Sequence, residues 1–306
     1  MRPTVSIVIP TAKRFRELQQ TLLALETQSV QAERIVIIDD GNPPDDWSTI
    51  QAFCQQRRLS IHCLSNAPQR GPAAARNKGI LASEEEYILF INDDTRPTRS
   101  IFLEQHLSFA ARHPNCCILG KLDWAPETPN RLLFGPWTKR LAFDVGYDDL
   151  EPEEHLGFHK FCTANVLVPR RVLQYCLFDE RFPFAAYEDI ELGYRLAQRG
   201  STLLYNPESC VYHVHRYDAD MVVARQKNAG HSLAYLLHAH PELQDRYSPK
   251  LSRLLTRLLI LWVNSPFFSY CSEDFRLFCR QLAAKYAAFW ESDASYTQKA
   301  GQQNTM

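Results

Sequence analysis

A chain of 306 residues with 45% apolar and 23% charged residues is long enough for one large α/β domain, or one domain with a helical extension. Its 34 basic and 35 acidic residues leave a net charge of −1, which argues against DNA or RNA as a partner. Local basic groups such as Arg170–Arg171 still leave room for a small anionic ligand.

The N-terminus, MRPTVSIVIP, runs directly into a strand-like segment without the pattern of a signal peptide. Residues 5–9 (VSIVI) are β-branched and uncharged, as a buried parallel strand requires, and Pro10-Thr11 ends them. Phe15, Leu18, Leu22 and Leu25 recur at helical spacing over 14–28. A second strand at 34–38 closes on the turn Asp39-Asp40-Gly41-Asn42-Pro43-Pro44, with Asp45 or Asp46 available to cap a helix reaching about Arg58. A strand near 60–64, a helix at 72–82, a strand at 87–91 (YILFI) and a helix near 98–112 follow. This alternation predicts a doubly wound, mostly parallel sheet, whose ligands bind beyond the carboxyl ends of the strands. Thr11, Asp40 and Asp93-Asp94 all fall on that edge.

From about 115 the pattern changes. Strand-like runs at 116–122 and 165–168 flank a segment rich in Pro, Trp and Phe. A helix begins near Glu188 and ends at Gly200, and two strand-like pieces lead to His213. After 218 the chain reads as helical, broken at Pro241, Pro249 and Pro266, and SYTQKAGQQNTM reads as a frayed tail. No run of 18 uncharged apolar residues occurs, so no membrane span is expected. Nine cysteines, scattered and without a CxxC pair, argue against a zinc site or a disulfide framework and fit buried thiols in a reducing cytosol.

Four segments carry chemistry. Asn92-Asp93-Asp94-Thr95 puts adjacent carboxylates at a strand end, where they repel unless a cation lies beside them. Mg²⁺ or Mn²⁺ binds one or two carboxylates and lets substrate phosphates complete its shell. The competing reading is capping of the next helix by Asp94 or Thr95. Gly71-Pro72-Ala73-Ala74-Ala75-Arg76-Asn77-Lys78-Gly79 allows close backbone approach at a helix N-terminus, with Arg76 and Lys78 in reach of a diphosphate or base; a solvated basic face is the alternative. Tyr187-Glu188-Asp189-Ile190-Glu191 opens a helix with three acids, either compensating its dipole or holding a general base. Val211-Tyr212-His213-Val214-His215 places two imidazoles on one strand face.

The order of VSIVIPT, IVIIDDGN, GPAAARNKG, YILFINDDT, FCTANVLVPRRVL, YEDIELGYRL and NPESCVYHVH resembles the family 2 glycosyltransferases of the GT-A fold, over roughly residues 4–216. The resemblance implies an α/β fold, a GT-A-type doubly wound mixed sheet flanked by helices. Residues 1–217 would form the nucleotide-sugar-binding catalytic domain and 218–306 a helical C-terminal extension. By the same resemblance, Pro10-Thr11 is the nucleoside-binding turn, Asp40 contacts the base and Arg76 lies near base or phosphate. Asp93 lies near the ribose, Asp94 is a metal ligand and Asp189 is the general base. His213 completes the metal site, with His215 in reserve. Asn92 stands where many members have Asp, which departs from a strict DxD pattern. The implied cofactor is a divalent metal, Mn²⁺ or Mg²⁺. The implied partners are a nucleotide-diphospho-sugar donor and a carbohydrate or lipid-linked acceptor, with no nucleic acid. The QxxRW motif and membrane spans of processive synthases are missing, so transfer of single residues with inversion, in glycan or glycolipid synthesis, is expected.

A nucleotidyltransferase would need a Gly-rich loop after the first strand, where PTAKRFRE stands. A non-catalytic nucleotide- or sugar-binding module would keep the fold and lose the base or a metal ligand. A haloacid-type phosphatase would need an Asp nucleophile where Pro10-Thr11 lies. The apolar run from Leu254 to Val263, then Pro266-Phe267-Phe268, reads as packing onto the catalytic domain, as a homodimer face, or as a peripheral contact at the inner membrane face of a cytoplasmic protein.

Overall fold

The computed structural model describes residues 2–127, 145–214 and 216–303. The chain divides into two compact units. One comprises Met1–Pro129, Val145–Glu180 and Asp189–His215; the other comprises Asn130–Asp144, Arg181–Glu188 and Arg216–Met306.

The first unit is built on a nine-stranded mixed sheet. Its parallel half is formed by β1 (Val5–Thr11), β2 (Arg34–Asp39), β3 (Ile61–Ser65) and β4 (Tyr87–Ile91), adjacent in the order β3-β2-β1-β4. The other half contains β5 (Thr95–Pro97), β6 (Cys117–Trp124), β7 (His155–Leu156), β8 (Asn165–Pro169) and β9 (Leu203–His213). It continues the sheet as β8-β6-β9-β5, with β7 paired to β9, and every pairing there except β6–β9 is antiparallel. The sheet is therefore parallel on one side only, and less so than the strand–helix alternation of the first hundred residues predicts.

Helices α1 (Phe15–Glu26), α2 (Pro44–Gln55), α3 (Pro72–Leu81), α4 (Phe102–Arg112), the single-turn α5 (Arg170–Leu173) and α6 (Glu188–Gln198) flank the sheet. Successive residues of a strand point to opposite faces, so a strand buried on both sides is apolar at most positions on both. Ile7 and Ile9 of β1 and Leu89 and Ile91 of β4 enter one cluster with Leu18, Leu22 and Phe102. Val8, Ile88 and Phe90 enter the other with Ala75, Ile80, Leu173 and Leu192. That is the double winding expected from VSIVI and YILFI.

Some boundaries differ from the sequence reading. Asp45 and Asp46 lie in the first turn of α2 behind Pro43, without a side-chain cap. The two strand-like pieces before His213 are one strand, carried past Pro207 by a register shift opposite Gly120 and Leu122. A buried network fixes that irregularity: Asn165 Nδ2 donates to the carbonyls of Lys121 (2.9 Å) and Ser209 (2.8 Å), and its Oδ1 lies 2.9 Å from His106 Nε2. Burial pushes the His106 imidazole down to about 4, so it is neutral and its Nε2–H donates to the amide oxygen.

From Ala219 the second unit is helical over the described residues, with α7 (Ala219–Ala239), α8 (Gln244–Tyr247), α9 (Arg253–Val263) and α10 (Glu273–Gln303), interrupted near Pro241, Pro249 and Pro266 as the sequence predicts. α7 and α10 cross closely: a Cβ on Gly230 would lie 1.9 Å from the Lys285 carbonyl oxygen. The segment read as a frayed tail is helical to Gln303. It is anchored by Tyr296, which stacks on His238 (ring centroids 4.9 Å apart) and approaches Tyr235. The last three residues lie outside the described ones. Among the described residues no helix is long and apolar enough to cross a membrane. All nine cysteines are free, with Cys54, Cys117, Cys176 and Cys279 buried.

α3 must come close to β1 to set Arg76 at the strand ends, and Gly79 permits it: a Cβ there would lie 2.4 Å from Val8 Cγ1. Gly79→Ala should destabilise the chain by about 1–3 kcal/mol through overpacking, visible as a lower urea midpoint with an unchanged slope.

Candidate functional site

The carboxyl ends of β1, β2 and β4 deliver Thr11, Asp40 and Asp93-Asp94 to one edge. Asp93 and Asp94 are 4% and 1% exposed, so neither carboxylate is relieved by bulk water. The sequence left open whether they cap a helix. They do not: α4 begins at Phe102 behind Ile101 with no side-chain cap, and Thr95 opens β5 instead. The loop is held from below by Thr21, whose hydroxyl lies 2.9 Å from the Asp93 carbonyl and 3.0 Å from that of Thr95. It is closed on itself by Thr95 Oγ1, which accepts from the Asn92 N–H (3.0 Å) and donates to its carbonyl (2.8 Å).

β5 pairs with β9 so that Thr95 faces His213. That register brings His213 Nε2 to 3.4 Å from Asp94 Oδ2, while the Val214 N–H donates to the Asp94 carbonyl at 2.9 Å. The edge of Trp124 packs on the imidazole at 4.8 Å between centroids. His213 is thus the late histidine that meets the acidic pair; His215 lies outside the described residues. Asp94 and His213 present a carboxylate oxygen and an imidazole nitrogen side by side, the kinds of donor that a divalent transition metal takes. Among the described residues no group of three or more His, Cys, Asp or Glu side chains is arranged for a metal.

The residue missed from sequence is Arg14. Its Nη1 lies 2.6 Å from Asp94 Oδ2 and 3.3 Å from Asp93 Oδ1, bridging the pair. The only signal for it was the basic run PTAKRFRE after β1, which reads equally as a solvated helix start. Thr11 Oγ1 also donates to Asp93 Oδ2 at 3.0 Å. Burial, then the neighbouring Asp94 charge, pushes the Asp93 carboxyl up to about 7 despite the opposing pull of Arg14 and Thr11.

Asp40 lies on the same edge, its N–H donating to the Thr11 carbonyl at 2.9 Å. One carboxylate oxygen is already committed: Oδ1 accepts from Asn66 Nδ2 (2.9 Å) and from the N–H groups of Arg70 (3.0 Å) and Gly71 (3.1 Å). It organises the loop that enters α3. Pro10 is the penultimate residue of β1, opposite Ile38. Lys78, read as a second basic contact for a ligand, donates instead to the Ser65 carbonyl.

Arg76 is 5% exposed, a rare burial for arginine. Its Nη2 donates to Asn92 Oδ1 at 3.2 Å, and its guanidinium lies 5.7 Å from the Phe178 ring centre. Its charge also acts on Asp189. That carboxyl is raised by burial, with Arg76 and the N–H groups of Ile190 and Thr163 partly offsetting the rise. Arg76 therefore links the acidic loop to the start of α6. Glu191 has a separate task. Both its oxygens meet Arg195, at 2.6 and 2.7 Å, and Arg195 continues to the Leu177 carbonyl at 2.7 Å.

Residues 6–171 match the family described as Glycosyl transferase family 2, just over half of the chain. The chain belongs to that family. Among curated relatives of this chain, the Pre-mycofactocin glycosyltransferase of Mycobacterium tuberculosis is 25% identical over 241 residues, covering 78% of this chain and 48% of that protein. The Validoxylamine A glucosyltransferase of Streptomyces hygroscopicus is 26% identical over 230 residues, covering 68% of this chain and 54% of that one. The chain thus spans about half the length of these relatives. Among solved structures, a mannosyltransferase from Pyrobaculum calidifontis in complex with GDP-Man and Mn²⁺ superposes with a TM-score of 0.61 at 14% identity, covering 95% of this chain and 88% of that chain. Residues 1–349 of S. aureus TarS in complex with UDP give 0.57 at 13% identity, covering 97% of this chain and 92% of that fragment. At such identities the likeness is one of fold, and it is that of GT-A glycosyltransferases.

Glu191 and Asp189 are separable by experiment. Removing half of a largely buried ion pair is strongly destabilising, and Arg195 is partly exposed, which reduces the loss. Glu191→Gln should therefore lower the unfolding free energy by about 2 kcal/mol in a denaturant titration, without changing nucleotide affinity in the folded protein.

Proposed function

We propose that this glycosyltransferase moves a single sugar from a nucleotide-diphospho-sugar onto an acceptor hydroxyl, non-processively and with inversion, in glycan or glycolipid synthesis. The observation that supports this reading is that His213 lies beside Asp94 at the Asp93-Asp94 loop, while Arg76 is bonded to Asn92 of the same loop and acts on Asp189 at the start of α6.

Thr11 and Asp40 border the place for the nucleoside; Asp40 acts through the loop it holds and through its second oxygen. Asp93 would orient the ribose. Asp94 and His213 would hold Mn²⁺ or Mg²⁺, which when bound supplies positive charge to the diphosphate. Arg76, buried and fixed against Asn92, adds a charge whose desolvation strengthens it against a developing anion. The acceptor oxygen attacks the anomeric carbon, the bond from that carbon to the diphosphate oxygen breaks, and the acceptor's proton passes to the Asp189 carboxylate. Burial raises the affinity of Asp189 for that proton, which suits a base.

Arg14 bridges the two carboxylates that this reading gives to ribose and metal. Its guanidinium must release Asp94 Oδ2 for a metal to bind there. Arg14→Gln should therefore tighten Mn²⁺ binding by several-fold in calorimetry without nucleotide. Asp94→Ala should abolish Mn²⁺-dependent binding of a nucleoside diphosphate, and His213→Ala should weaken it, in proteins whose circular dichroism is unchanged. Undiminished metal-dependent affinity in both would remove the metal assignment.

Asp189→Asn preserves shape and removes basicity. With the nucleotide-sugar selected by a thermal-shift screen, donor binding should survive and transfer should fall by at least ~10²-fold. Activity of the unaltered chain needs the deprotonated carboxylate. Its rate should therefore fall with decreasing pH along a limb displaced above the ordinary carboxylate range, and Asp189→Asn should lose that limb.

A further inference from the structure

Among the described residues of the second unit, α9 and the turn after it carry an exposed apolar surface. α9 is started by Ser252, whose hydroxyl accepts from the Leu255 N–H at 3.3 Å, and follows the break at Pro249. Its inner face carries Thr256, buried, with Leu259, Ile260 and Val263 half-buried; α10 is its packing partner. Its outer face carries Leu254, Leu255, Leu258 and Leu261, of which Leu254 is 66% and Leu261 69% exposed, with Trp262 at the margin, its ring packed on Phe268 and Phe275 and its remainder exposed. At about 100° per residue these five side chains cover roughly a third of the helix circumference. The 3₁₀ turn Pro266–Tyr270 extends the patch with Phe267 and Tyr270, 73% and 87% exposed. Scattered surface leucines are ordinary, whereas a contiguous stripe ending in aromatic residues marks an interaction surface.

Charge identifies the occupant. No Asp or Glu occurs from 246 to 272, while Arg246, Lys250, Arg253 and Arg257 fall within that stretch. Arg257 and Arg253 lie along one edge of the leucine stripe by helical spacing, both exposed; Arg253 also reaches Asp293 at 3.8 Å. A second copy docked about a two-fold axis would bring these basic edges together with no acid in either segment to answer them. A surface offering hydrocarbon beneath anionic headgroups answers both features. Leucine side chains enter the acyl boundary, Trp262, Phe267 and Tyr270 occupy the interfacial layer, and the basic edge meets phosphate.

We infer that the outer face of α9 and the turn after it form a docking surface for an anionic lipid bilayer, with α9 lying in the plane of the interface. This goes beyond the proposed transfer reaction and needs no donor, metal or acceptor to be tested. The full chain is sedimented with sucrose-loaded vesicles of phosphatidylcholine and of phosphatidylcholine with phosphatidylglycerol. The wild-type chain should partition onto the anionic vesicles and be released by salt. The triple variant Leu254→Ser, Leu258→Ser, Leu261→Ser should lose at least ~10-fold in partition coefficient. Lys250→Gln with Arg257→Gln should erase the preference for phosphatidylglycerol. Because the altered residues are exposed, thermal unfolding should be unchanged; Phe267→Ser with Tyr270→Ser provides a second disruption outside the helix. No binding to anionic vesicles, or equal binding by the triple variant, would overturn the inference. So would a wild-type dimer in sedimentation equilibrium that the triple variant dissolves without any vesicle binding, which would assign the face to a second copy.

Discussion

Two adjacent carboxylates almost sealed from water form the constraint around which the first unit is arranged. Desolvation and mutual repulsion both favour protonation, and the Asp93 carboxyl is pushed up to about 7 in consequence. Such a pair persists in a fold only where its surroundings answer the charge. Arg14 does so directly and Thr11 with a hydroxyl, while His213 of β9 lies 3.4 Å from Asp94. Thr21 holds the loop that presents the pair, and Asn92 ties the same loop to Arg76. A polar group buried at this expense is a candidate for function because an apolar loop would be easier to fold.

The two halves of the sheet divide the work. Parallel strands with helices on both faces place their carboxyl ends on one edge, which gathers Thr11, Asp40 and the Asp93-Asp94 loop. The antiparallel half supplies what that edge lacks. β9 returns to pair with β5, bringing His213 beside Asp94, and the Asn165 network locks the irregularity in β9 upstream of it. Gly79 lets α3 approach β1, and Arg76 on that helix joins the acidic loop electrostatically to Asp189 at the start of α6. Membership of glycosyl transferase family 2 and the GT-A likeness give this arrangement a chemical context.

Much of this was legible in the residues. VSIVI and YILFI announce strands buried on both faces because no charged residue interrupts them, and the acids at their ends then fall on one edge. The small residues from Gly71 to Gly79 read as room for close backbone approach at a helix N-terminus, and the structure uses Gly79 for the approach of α3 to β1. What was not legible depends on tertiary distance or on elements too short for a period. β5 has three residues, so no alternation marks it, and Thr95 looked like a helix cap. The segment before His213 reads as two strand-like pieces, yet β9 runs through Pro207 as one strand with an irregular register. Arg14 is one of several basic residues after β1, and only the folded loop shows that it reaches the carboxylates. The commitment of Asp40 to residues 66–71 is likewise invisible without the loop. The polar C-terminal segment reads as a tail, because nothing local reveals that Tyr296 will find His238 and Tyr235.

The central claim is that the edge carrying Thr11, the Asp93-Asp94 loop and His213 is where the nucleoside diphosphate and its metal bind. Hydrogen–deuterium exchange of the wild-type chain, with UDP or GDP and Mn²⁺ together and with each component alone, tests it directly. Slowed exchange should appear at amides of 11–14, 92–96 and 211–214 with nucleotide and metal together, and more weakly with either alone. Binding that slows exchange elsewhere and leaves all three segments unchanged would contradict the claim.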